Sequence, residues 1–431
     1  MTVSGFAIGV LAQPVFNLDF VATALTIVFI NLVGTLPVCF FSTFGPRFGL
    51  RQMIVSRFFF GYYGVKLTCI CWSSVNVVVG AQLLAAIKPE AQLPGWAGIL
   101  IISLGTLLIT VFGYRLVHAY ERWSWMPVFV IFLITAGVFG RSGDFNAVLS
   151  SPSGSSGAGS ILSFSASVFG FATGWTSMAA DYTVYQPEKT SKHRVFWWTF
   201  GGLFLPLVFT QLLGAAIMTA AVPTTAMGGL GHENTNVYIV AYSSSGIGGI
   251  LAVVLVTHLG PLGQFCLAML ALSIIANNCP NIYSVALSIQ VLAKSTQRVP
   301  RFVWTFLATC ACVAISVPGY SRFERWLENF MLLTGYWLAI YEGVALTEHF
   351  FFRVWRGYGY DVHDHDDPDR LPPGMAAVSA FVVGVVGAVL GMAQSWWTGP
   401  VGRQAGGEAG GDVGFEMAFG MIPSLVPLFI V

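Results

Sequence analysis

Residues 20–42 read FVATALTIVFINLVGTLPVCFFS, a run of 23 residues that contains no charged side chain. A helix needs about 20 apolar residues to cross the hydrocarbon core of a bilayer, so this run predicts a transmembrane helix. The composition extends the prediction to the whole chain. Of its 431 residues, 55% are hydrophobic and 9% are charged, whereas a soluble domain carries about 25% charged residues. The sequence predicts a polytopic membrane protein and excludes a soluble globule, a disordered chain and a disulfide scaffold, and its net charge of +1 argues against a nucleic-acid partner.

Apolar segments of about the length needed to span a bilayer recur along the whole chain. Lys and Arg concentrate in cytoplasmic loops, and with an inner N-terminus fifteen of the twenty Lys and Arg residues fall on the inner side. We therefore predict twelve spans with both ends in the cytoplasm. The stretch 246–262 is apolar but interrupted by Gly and Pro, so we expect a re-entrant or surface piece packed on the bundle. The predicted segments are 1–16, 20–42, 62–87, 95–113, 124–140, 161–180, 195–222, 265–292, 302–318, 326–346, 374–397 and 413–431.

Two segments share a glycine pattern that indicates an internal repeat. Residues 5–9 read GFAIG, residues 170–174 read GFATG, and each opens a set of five predicted spans. Gly-interrupted helices at corresponding positions of two halves point to a binding site in transporters, so we expect both stretches to be unwound near the bilayer midplane. Close helix packing is the alternative explanation of such glycines. The predicted organisation is one transmembrane domain, 1–431, with repeat one at about 1–141, repeat two at about 161–346, and additional helices at about 374–431.

Polar and aromatic side chains at membrane depth mark three of the segments. Trp72 and Asn76 are four residues apart in segment 3 and therefore share a helix face. Segment 6 places Trp175 directly after its glycines. Segment 8 carries three amides around a proline, in the order Asn277, Asn278, Cys279, Pro280 and Asn281.

These side chains have two interpretations. Intramembrane Trp also serves as an interface anchor, and Asn commonly hydrogen-bonds one helix to another. Unpaired polar groups are costly in a membrane, however, and an indole can stack on a flat ring while an amide donates to and accepts from its edge. The combination of tryptophans and amides in one bundle favours a planar, polar, uncharged ligand.

Few ionisable residues lie within the predicted segments. Asp181 closes segment 6, Glu342 lies in segment 10, and Glu416 is near the outer end of segment 12. Glu342 and Asp181 are candidates for proton coupling, with Glu342 the better one, although a carboxyl that only caps backbone groups is an equal alternative for Glu342. The chain carries no nucleotide-binding P-loop, HExxH or GxSxG motif, so we expect neither an enzyme nor ATP-driven transport. The acidic run 361–370, DVHDHDDPDR, and the seven cysteines suggest a solvated loop and apolar packing rather than metal sites.

Several long stretches resemble one family of membrane proteins. They include VSGFAIGVLA from residue 3, WSSVNVVVGAQLL from residue 72, VFGFATGWTS from residue 168 and LSIIANNCPNIYSVAL from residue 272. With these stretches the chain is similar to the fungal purine–cytosine permeases of the nucleobase–cation symporter 1 family. The likeness runs from residue 3 to about residue 420.

The resemblance implies a fold and a function. The fold is all-α, with a five-plus-five inverted repeat of the leucine-transporter type and two further helices. The function is symport of adenine, guanine, hypoxanthine and cytosine with protons across the plasma membrane. A transporter of uracil, allantoin, thiamine or pyridoxine is the alternative, and a channel a more distant one. No cofactor or metal is implied, and the partners are the nucleobase and the lipid bilayer.

The resemblance also assigns site residues and the coupling ion. Sodium-coupled relatives place hydroxyls on segment 8 where this chain has Ile275 and Ala276, which favours protons. Compared with the family pattern, both end tails and the front of segment 1 are absent, and the run before WSSVN is shorter. Substrate binding falls on Ser4, Trp72, Asn76, Trp175 and Asn281, with Asn277, Asn278 and Pro280 beside the site.

Overall fold

The computed structural model describes residues 3–65, 74–88, 93–112, 114–146, 154–221, 236–292, 294–406 and 410–423. Short 3₁₀ helices cover Thr176–Met178 and Val362–Asp366, a π-helix covers Glu348–Trp355, and strands β1 (Ala393–Gln394) and β2 (Trp397–Thr398) form an antiparallel pair. The α-helices are α1 (Val3–Leu11), α2 (Phe20–Ser42), α3 (Phe44–Phe48), α4 (Gln52–Gly64), α5 (Ser74–Ile87), α6 (Gly95–Val111), α7 (Tyr114–Ser142), α8 (Ser155–Thr173), α9 (Ala179–Thr183), α10 (Lys192–Met218), α11 (Val237–Leu259), α12 (Pro261–Leu292), α13 (Lys294–Gln297), α14 (Arg301–Tyr320), α15 (Phe323–Thr347), α16 (Met375–Gly391), α17 (Pro400–Gly406) and α18 (Gly414–Met421).

Helix α2 shows how the apolar segments form. Its bounds equal the predicted segment 20–42. Asp19 caps its start by accepting the N–H of Ala22 at 2.7 Å. The hydroxyls of Thr26 and Thr35 donate to backbone carbonyls four residues earlier, each at 2.8 Å. These hydroxyls are therefore satisfied within the helix, as polar groups of a segment in lipid must be, and its 23 residues extend roughly 35 Å at 1.5 Å per residue.

Seven helices within the described ranges are long and apolar enough to cross a membrane, judged by length and composition. Three further apolar helices are shorter within the described residues, at Val78–Ile87 of α5, Gly95–Val111 (α6) and Met375–Gly391 (α16). The seven candidates are Phe20–Phe48, Val117–Ser142, Lys192–Met218, Val237–Leu259, Pro261–Gln290, Arg301–Tyr320 and Phe323–Trp355.

Helix α11 passes that test of length but does not run straight. Gly246 has φ 57° and ψ −134°, which interrupts the helix. A Cβ atom on Gly249 would lie 2.0 Å from the carbonyl oxygen of Ala241, eight residues earlier, whereas eight residues of straight helix rise about 12 Å. The chain therefore folds back at Gly246, and its second half is buried against α5 and α12. This arrangement agrees with the prediction that the stretch 246–262 is a re-entrant or surface piece packed on the bundle.

The helices pack as two related sets of five. If α1 corresponds to α8 and α2 to α10, then the packing of α1 on α10 has its counterpart in the packing of α8 on α2, and both contacts are present. Segments 3 and 8 are equivalent in the two predicted repeats, and their helices α5 and α12 pack on each other. Segments 4 and 9 are equivalent as well, and their helices α6 and α14 also pack on each other. The packing supports the predicted repeats, whose boundaries stay predictions.

The prediction of two unwound glycine stretches is half wrong. Helix α1 runs without interruption through Gly5 and Gly9 and is fully buried. A Cβ atom on Gly9 would lie 1.9 Å from the carbonyl oxygen of Gln211, and one on Gly214 would lie 2.2 Å from that of Phe6. These glycines serve the close crossing of α1 and α10, which was the alternative explanation. Segment 6 is interrupted, because α8 ends before Gly174 and a 3₁₀ turn separates it from α9.

Candidate functional site

A cavity of about 350 Å³ opens beside the interruption in segment 6. A volume of this size lies in the range of small-molecule sites, about 300–1,000 Å³. Five segments contribute to its walls. The lining residues are Val38 and Ser42 of α2, Ser124, Trp125 and Val128 of α7, Trp175, Ala179, Tyr182 and Thr183 of segment 6, Thr199, Gly202 and Leu203 of α10, and Ser273, Ala276, Asn277 and Pro280 of α12.

Trp175 stands at the interruption itself. It follows Gly174 and precedes the 3₁₀ helix Thr176–Met178, so its side chain is carried by the turn between α8 and that 3₁₀ helix. The indole is half-buried and meets the edge of Tyr182, with ring centroids 5.9 Å apart and an interplanar angle of 65°. Non-helical backbone is tolerated at membrane depth where it is buried in protein or lines a cavity. The predicted aromatic residue of segment 6 therefore lines a cavity of suitable size.

Helix α12 forms the wall that carries an amide. Asn277 and Pro280 both line the cavity. The proline does not end the helix, and α12 continues to Leu292. A proline has no N–H to donate, so the Ala276 carbonyl lacks its regular helical partner at a point where Ala276 also lines the cavity. An amide and a backbone acceptor thus lie close together on this wall.

The structure separates the three amides of segment 8. Asn281 is 5% exposed, does not line the cavity, and donates from Nδ2 to the Asn277 carbonyl at 3.3 Å. Asn278 is 1% exposed, and its Oδ1 has no hydrogen-bond partner among the described residues. Asn277, expected only beside the site, is the amide on the cavity wall, and Asn281 is the one behind it.

The remaining predicted residues belong to segments 1 and 3. Ser4 is fully buried in α1 and does not line the cavity. Asn76 lies in α5, but its side chain is outside the described set, and Trp72 lies outside the described residues altogether. Helix α5 packs on both α1 and α12. The structure therefore brings Trp175, Asn277 and Pro280 together and leaves the predicted face of segment 3 undescribed.

Hydroxyl groups on segments 2, 6 and 7 form a cavity wall that the sequence analysis missed. Thr183 donates to the Ser42 carbonyl at 2.7 Å, and the Ser42 hydroxyl lies 3.3 Å from the Thr199 hydroxyl. Trp125 of α7 is a second lining tryptophan. A hydroxyl next to an aromatic residue, as in Ser124 and Trp125, was the signal available in the sequence.

Glu342 hydrogen-bonds the turn that interrupts segment 6 and does not line the cavity that contains Trp175. Its carboxyl is 1% exposed and accepts hydrogen bonds from the hydroxyls of Thr173 and Thr176, the second at 2.8 Å. The two threonine hydroxyls are themselves 3.1 Å apart. Thr173 and Thr176 flank Gly174 and Trp175, so one buried acidic group holds both sides of the turn that carries the indole.

Asp181 occupies a different kind of position. It accepts the backbone N–H of Gln52 at 2.8 Å and the hydroxyl of Ser284 at 3.1 Å. Gln52 is the first residue of α4, where backbone N–H groups have no helical acceptor. Asp181 therefore caps α4 and joins segment 6 to segments 3 and 8. The Gln52 side chain continues this junction by donating to the hydroxyl of Tyr341 at 2.8 Å.

The acidic run 361–370 is attached to the bundle. Asp366 forms an ion pair with Arg57 of α4 at 2.7 Å, in which the arginine side chain is 6% exposed and the aspartate 68%. Arg57 also donates to the backbone carbonyl of His365 at 2.9 Å. The run is therefore an exposed loop, as expected, with one anchored carboxylate.

Known proteins resemble this chain in sequence and in fold. The sequence profile of the family described as permease for cytosine/purines, uracil, thiamine, allantoin matches residues 1–399. A purine-cytosine permease of Emericella nidulans is 52% identical over 415 residues, which cover 94% of this chain and 78% of the relative. A purine-cytosine permease of Saccharomyces cerevisiae is 43% identical over 417 residues, covering 94% and 76%.

The solved structure of Mhp1, a nucleobase-cation-symport-1 family transporter in a closed conformation with bromovinylhydantoin bound, superimposes with a TM-score of 0.65. The match covers 98% of this chain and 88% of Mhp1, with 14% sequence identity, and confirms the predicted all-α transporter fold. The predicted family membership is confirmed as well. The chain is a multi-pass membrane transporter, not an enzyme, and belongs to the family of permeases for cytosine and purines, uracil, thiamine and allantoin.

Proposed function

We propose that this protein carries purine bases and cytosine across the plasma membrane together with protons, by alternating access. The observation that carries the proposal is the position of Trp175. This residue lines a cavity of about 350 Å³ that Asn277 also lines, while the threonines on either side of it hold the buried carboxyl of Glu342. The relatives that share most of the chain are named purine-cytosine permeases.

The chemistry of the cavity suits a flat, neutral heterocycle. An indole offers a π-face on which any base stacks, worth about 1–3 kcal/mol per base. An amide both donates and accepts hydrogen bonds, so Asn277 complements the mixed donor and acceptor edge of adenine or cytosine. None of the cavity-lining residues is charged, which supports an uncharged substrate.

The direction in which the cavity opens supports alternating access. Ser42 ends α2, Thr199 lies near the start of α10, and Ser124 lies where the predicted segment 124–140 begins. The charge distribution of the loops predicts all three of these ends on the inner side, and it also predicts both chain termini there. The described cavity is therefore the inner half of the proposed pathway.

Glu342 is the proposed carrier of the proton. As a carboxylate it accepts two threonine hydroxyls, and charge-assisted hydrogen bonds of this kind are stronger than neutral ones. Once protonated it accepts them less well and must itself donate a hydrogen bond. Protonation of Glu342 therefore changes the bonds that hold the Trp175 turn, which is how proton binding and base binding become coupled. Asp181, the weaker candidate, is already engaged as the cap of α4.

Uptake of labelled adenine and cytosine into cells that lack their own purine-cytosine permeases tests the proposal. We expect saturable uptake that collapses with a protonophore and is unaffected when sodium is replaced. Labelled uracil, allantoin, thiamine and pyridoxine, assayed in parallel, test the alternative substrates. Dependence on sodium would contradict the coupling ion, and flux that does not saturate would indicate a channel.

A matched pair of variants tests the site. Asn277 and Ser273 line the same cavity one helical turn apart, and the Ser273 hydroxyl already donates to the Leu270 carbonyl at 2.6 Å. Asn277→Ala should raise KM about 5- to 150-fold, equivalent to 1–3 kcal/mol, whereas Ser273→Ala should leave it unchanged. Equal effects of the two variants would contradict the assignment of Asn277.

A further inference from the structure

A second cavity, of about 580 Å³, is a groove on the surface of the bundle among α2, α8, α10, α15 and α18. Its walls are apolar and largely aromatic, and more than a third of the surface of Val33, Leu36, Phe350 and Phe419 is exposed. The groove shares none of its lining residues with the cavity that contains Trp175. An exposed groove of this kind on a membrane-spanning bundle faces the lipid.

One end of the groove, its mouth, lies at the ends of three helices. Phe40 is two residues before the last residue of α2, Phe196 is four residues after the first residue of α10, and Phe350 is three residues after the end of α15. The rings of Phe40 and Phe350 stack with their centroids 5.6 Å apart. The charge distribution of the loops predicts all three helix ends on the inner side, so the groove opens towards the inner leaflet.

The groove is about as deep as one leaflet of a bilayer. Val33, the lining residue of α2 furthest from the mouth, is nine residues before Ser42, where α2 ends. Nine residues of helix rise about 14 Å. The hydrocarbon core of a bilayer is about 30 Å thick, so one leaflet contributes about 15 Å. An acyl chain of the inner leaflet therefore reaches from the mouth of the groove to its deep end.

Cationic side chains lie around the mouth of the groove. His349, the neighbour of Phe350, meets the edge of the Phe40 ring, with centroids 5.1 Å apart. The positive charges of Arg47 and Lys192 both act on this histidine. Both side chains are exposed, and neither forms an ion pair with any residue that the structure describes. Two cations are therefore available to an anion at the mouth.

The acidic groups of the inner side are engaged elsewhere. Glu348 pairs with Arg353 at 3.1 Å. The acidic run 361–370 pairs three of its carboxylates with Arg57 and Arg370. These carboxylates are neutralised by their own partners, which leaves the charge of the mouth positive.

The two carboxyl groups that line the groove, those of Glu342 and Glu416, lie away from the mouth. Glu342 is eight residues before Phe350 in the chain, about 12 Å along a helix. Glu416 follows Gly414, which packs against the ring of Tyr336, and Tyr336 is still further from that end of α15. Carboxylates at this depth repel a second anion, so an anionic head group stays at the mouth and only an apolar chain enters.

We propose that this groove binds one phospholipid of the inner leaflet that has an anionic head group. Its phosphate lies at the mouth, near Arg47 and Lys192, and one of its acyl chains lies along the phenylalanine rings. A chain that leaves the bilayer for the groove exchanges one apolar environment for another. The attraction of the cations for the head group therefore decides which lipid is bound.

Native mass spectrometry of the purified full chain tests the head group. Phosphatidylserine and phosphatidylcholine with identical acyl chains are titrated separately, and the first bound lipid is quantified. We expect phosphatidylserine to bind about 25-fold more tightly, because each of the two cations contributes about fivefold. Arg47→Gln and Lys192→Gln should each weaken its binding about fivefold. Arg298→Gln removes an exposed cation that is also predicted on the inner side but lies outside the groove, and should bind like the parent.

A second pair of variants tests the position of the chain. Leu346 lines the groove, so Leu346→Trp should obstruct it and weaken the binding of phosphatidylserine. Leu307, on α14, is 48% exposed and lies outside the groove, so Leu307→Trp should have no effect. Glycerophosphoserine, which carries the same phosphate without acyl chains, should bind far more weakly than the lipid.

The charge variants replace exposed side chains and decide the matter if Leu346→Trp does not fold. Equal affinity for the two phospholipids, or undiminished affinity in both charge variants, would overturn the proposal. Glycerophosphoserine bound as tightly as the lipid would indicate a phosphate site at the surface, and a dimer that excludes the lipid would indicate a second copy in the groove; either result would also overturn it. None of these measurements involves transport, so the proposed function stands or falls separately.

Discussion

Replacing Trp175 with Ala removes the ring at the interruption of segment 6 and so measures what that ring contributes to binding. Tyr182 meets the indole edge-on, with centroids 5.9 Å apart, which leaves a face of the indole for a substrate. Stacking of a base on one aromatic side chain is worth about 1–3 kcal/mol. The KM for adenine should therefore rise about 5- to 150-fold. The rise should be larger for adenine than for cytosine, because the purine covers more of the ring.

The measurement is the concentration dependence of labelled adenine and cytosine uptake, with surface protein quantified in the same cells. Trp175→Phe keeps a smaller ring and should lose less affinity than Trp175→Ala. Trp125 of α7 lines the same cavity and is 47% exposed, so Trp125→Ala is the matched control and should change KM little. An unchanged KM in Trp175→Ala together with a raised KM in Trp125→Ala would refute the reasoning.

Three further substitutions test other parts of the structure. Thr176→Val removes a hydroxyl that donates to ionised Glu342, a bond worth about 1.5–3 kcal/mol, so the half-maximal pH of uptake should move upward; an unchanged pH profile would contradict this. Gly9→Ala places a Cβ atom 1.9 Å from a backbone carbonyl oxygen of α10 and should prevent delivery to the membrane, whereas Gly201→Ala, where a Cβ atom meets nothing within 4 Å, should not. Asp181→Ala removes the cap of α4 and should cost about 0.5–2 kcal/mol, seen as a lower Tm in detergent; an unchanged Tm would show that the cap is dispensable.

The sequence was most informative where structure depends on a single helix. The bounds of α2 follow from an uncharged run and the capping residue Asp19, both of which are visible in the sequence. The interruption at Gly174 followed from the glycine pattern, although Gly170, the first glycine of that pattern, lies inside α8. The same pattern misled at Gly5 and Gly9, because a glycine that weakens a helix and a glycine that admits a neighbouring backbone are identical in sequence. Only the structure shows which of the two roles Gly9 has, because it places the carbonyl of Gln211 against this glycine.

Contacts between distant segments were beyond the reach of the sequence. The hydroxyls of Ser42 and Thr199 lie 157 residues apart in the chain, and either one alone resembles an ordinary helical hydroxyl that bonds its own backbone. The different positions of Asn277 and Asn281 relative to the cavity have a similar origin. Both lie on one face of α12, and the packing of neighbouring helices decides which of them meets the cavity.

The kink in α4 has a consequence for the time course of biosynthesis. Gly61 interrupts the helix, and the N–H of Tyr62, next to it, donates to the carbonyl of Pro372 at 3.1 Å. Gly374 approaches so closely that a Cβ atom on it would lie 2.0 Å from the carbonyl oxygen of Phe60. These partners are separated by about 310 residues, which a ribosome needs roughly 15–60 s to synthesise at 5–20 residues per second. Until then the first repeat lacks the residues that pack against this kink, so α4 can reach its final conformation only late in synthesis.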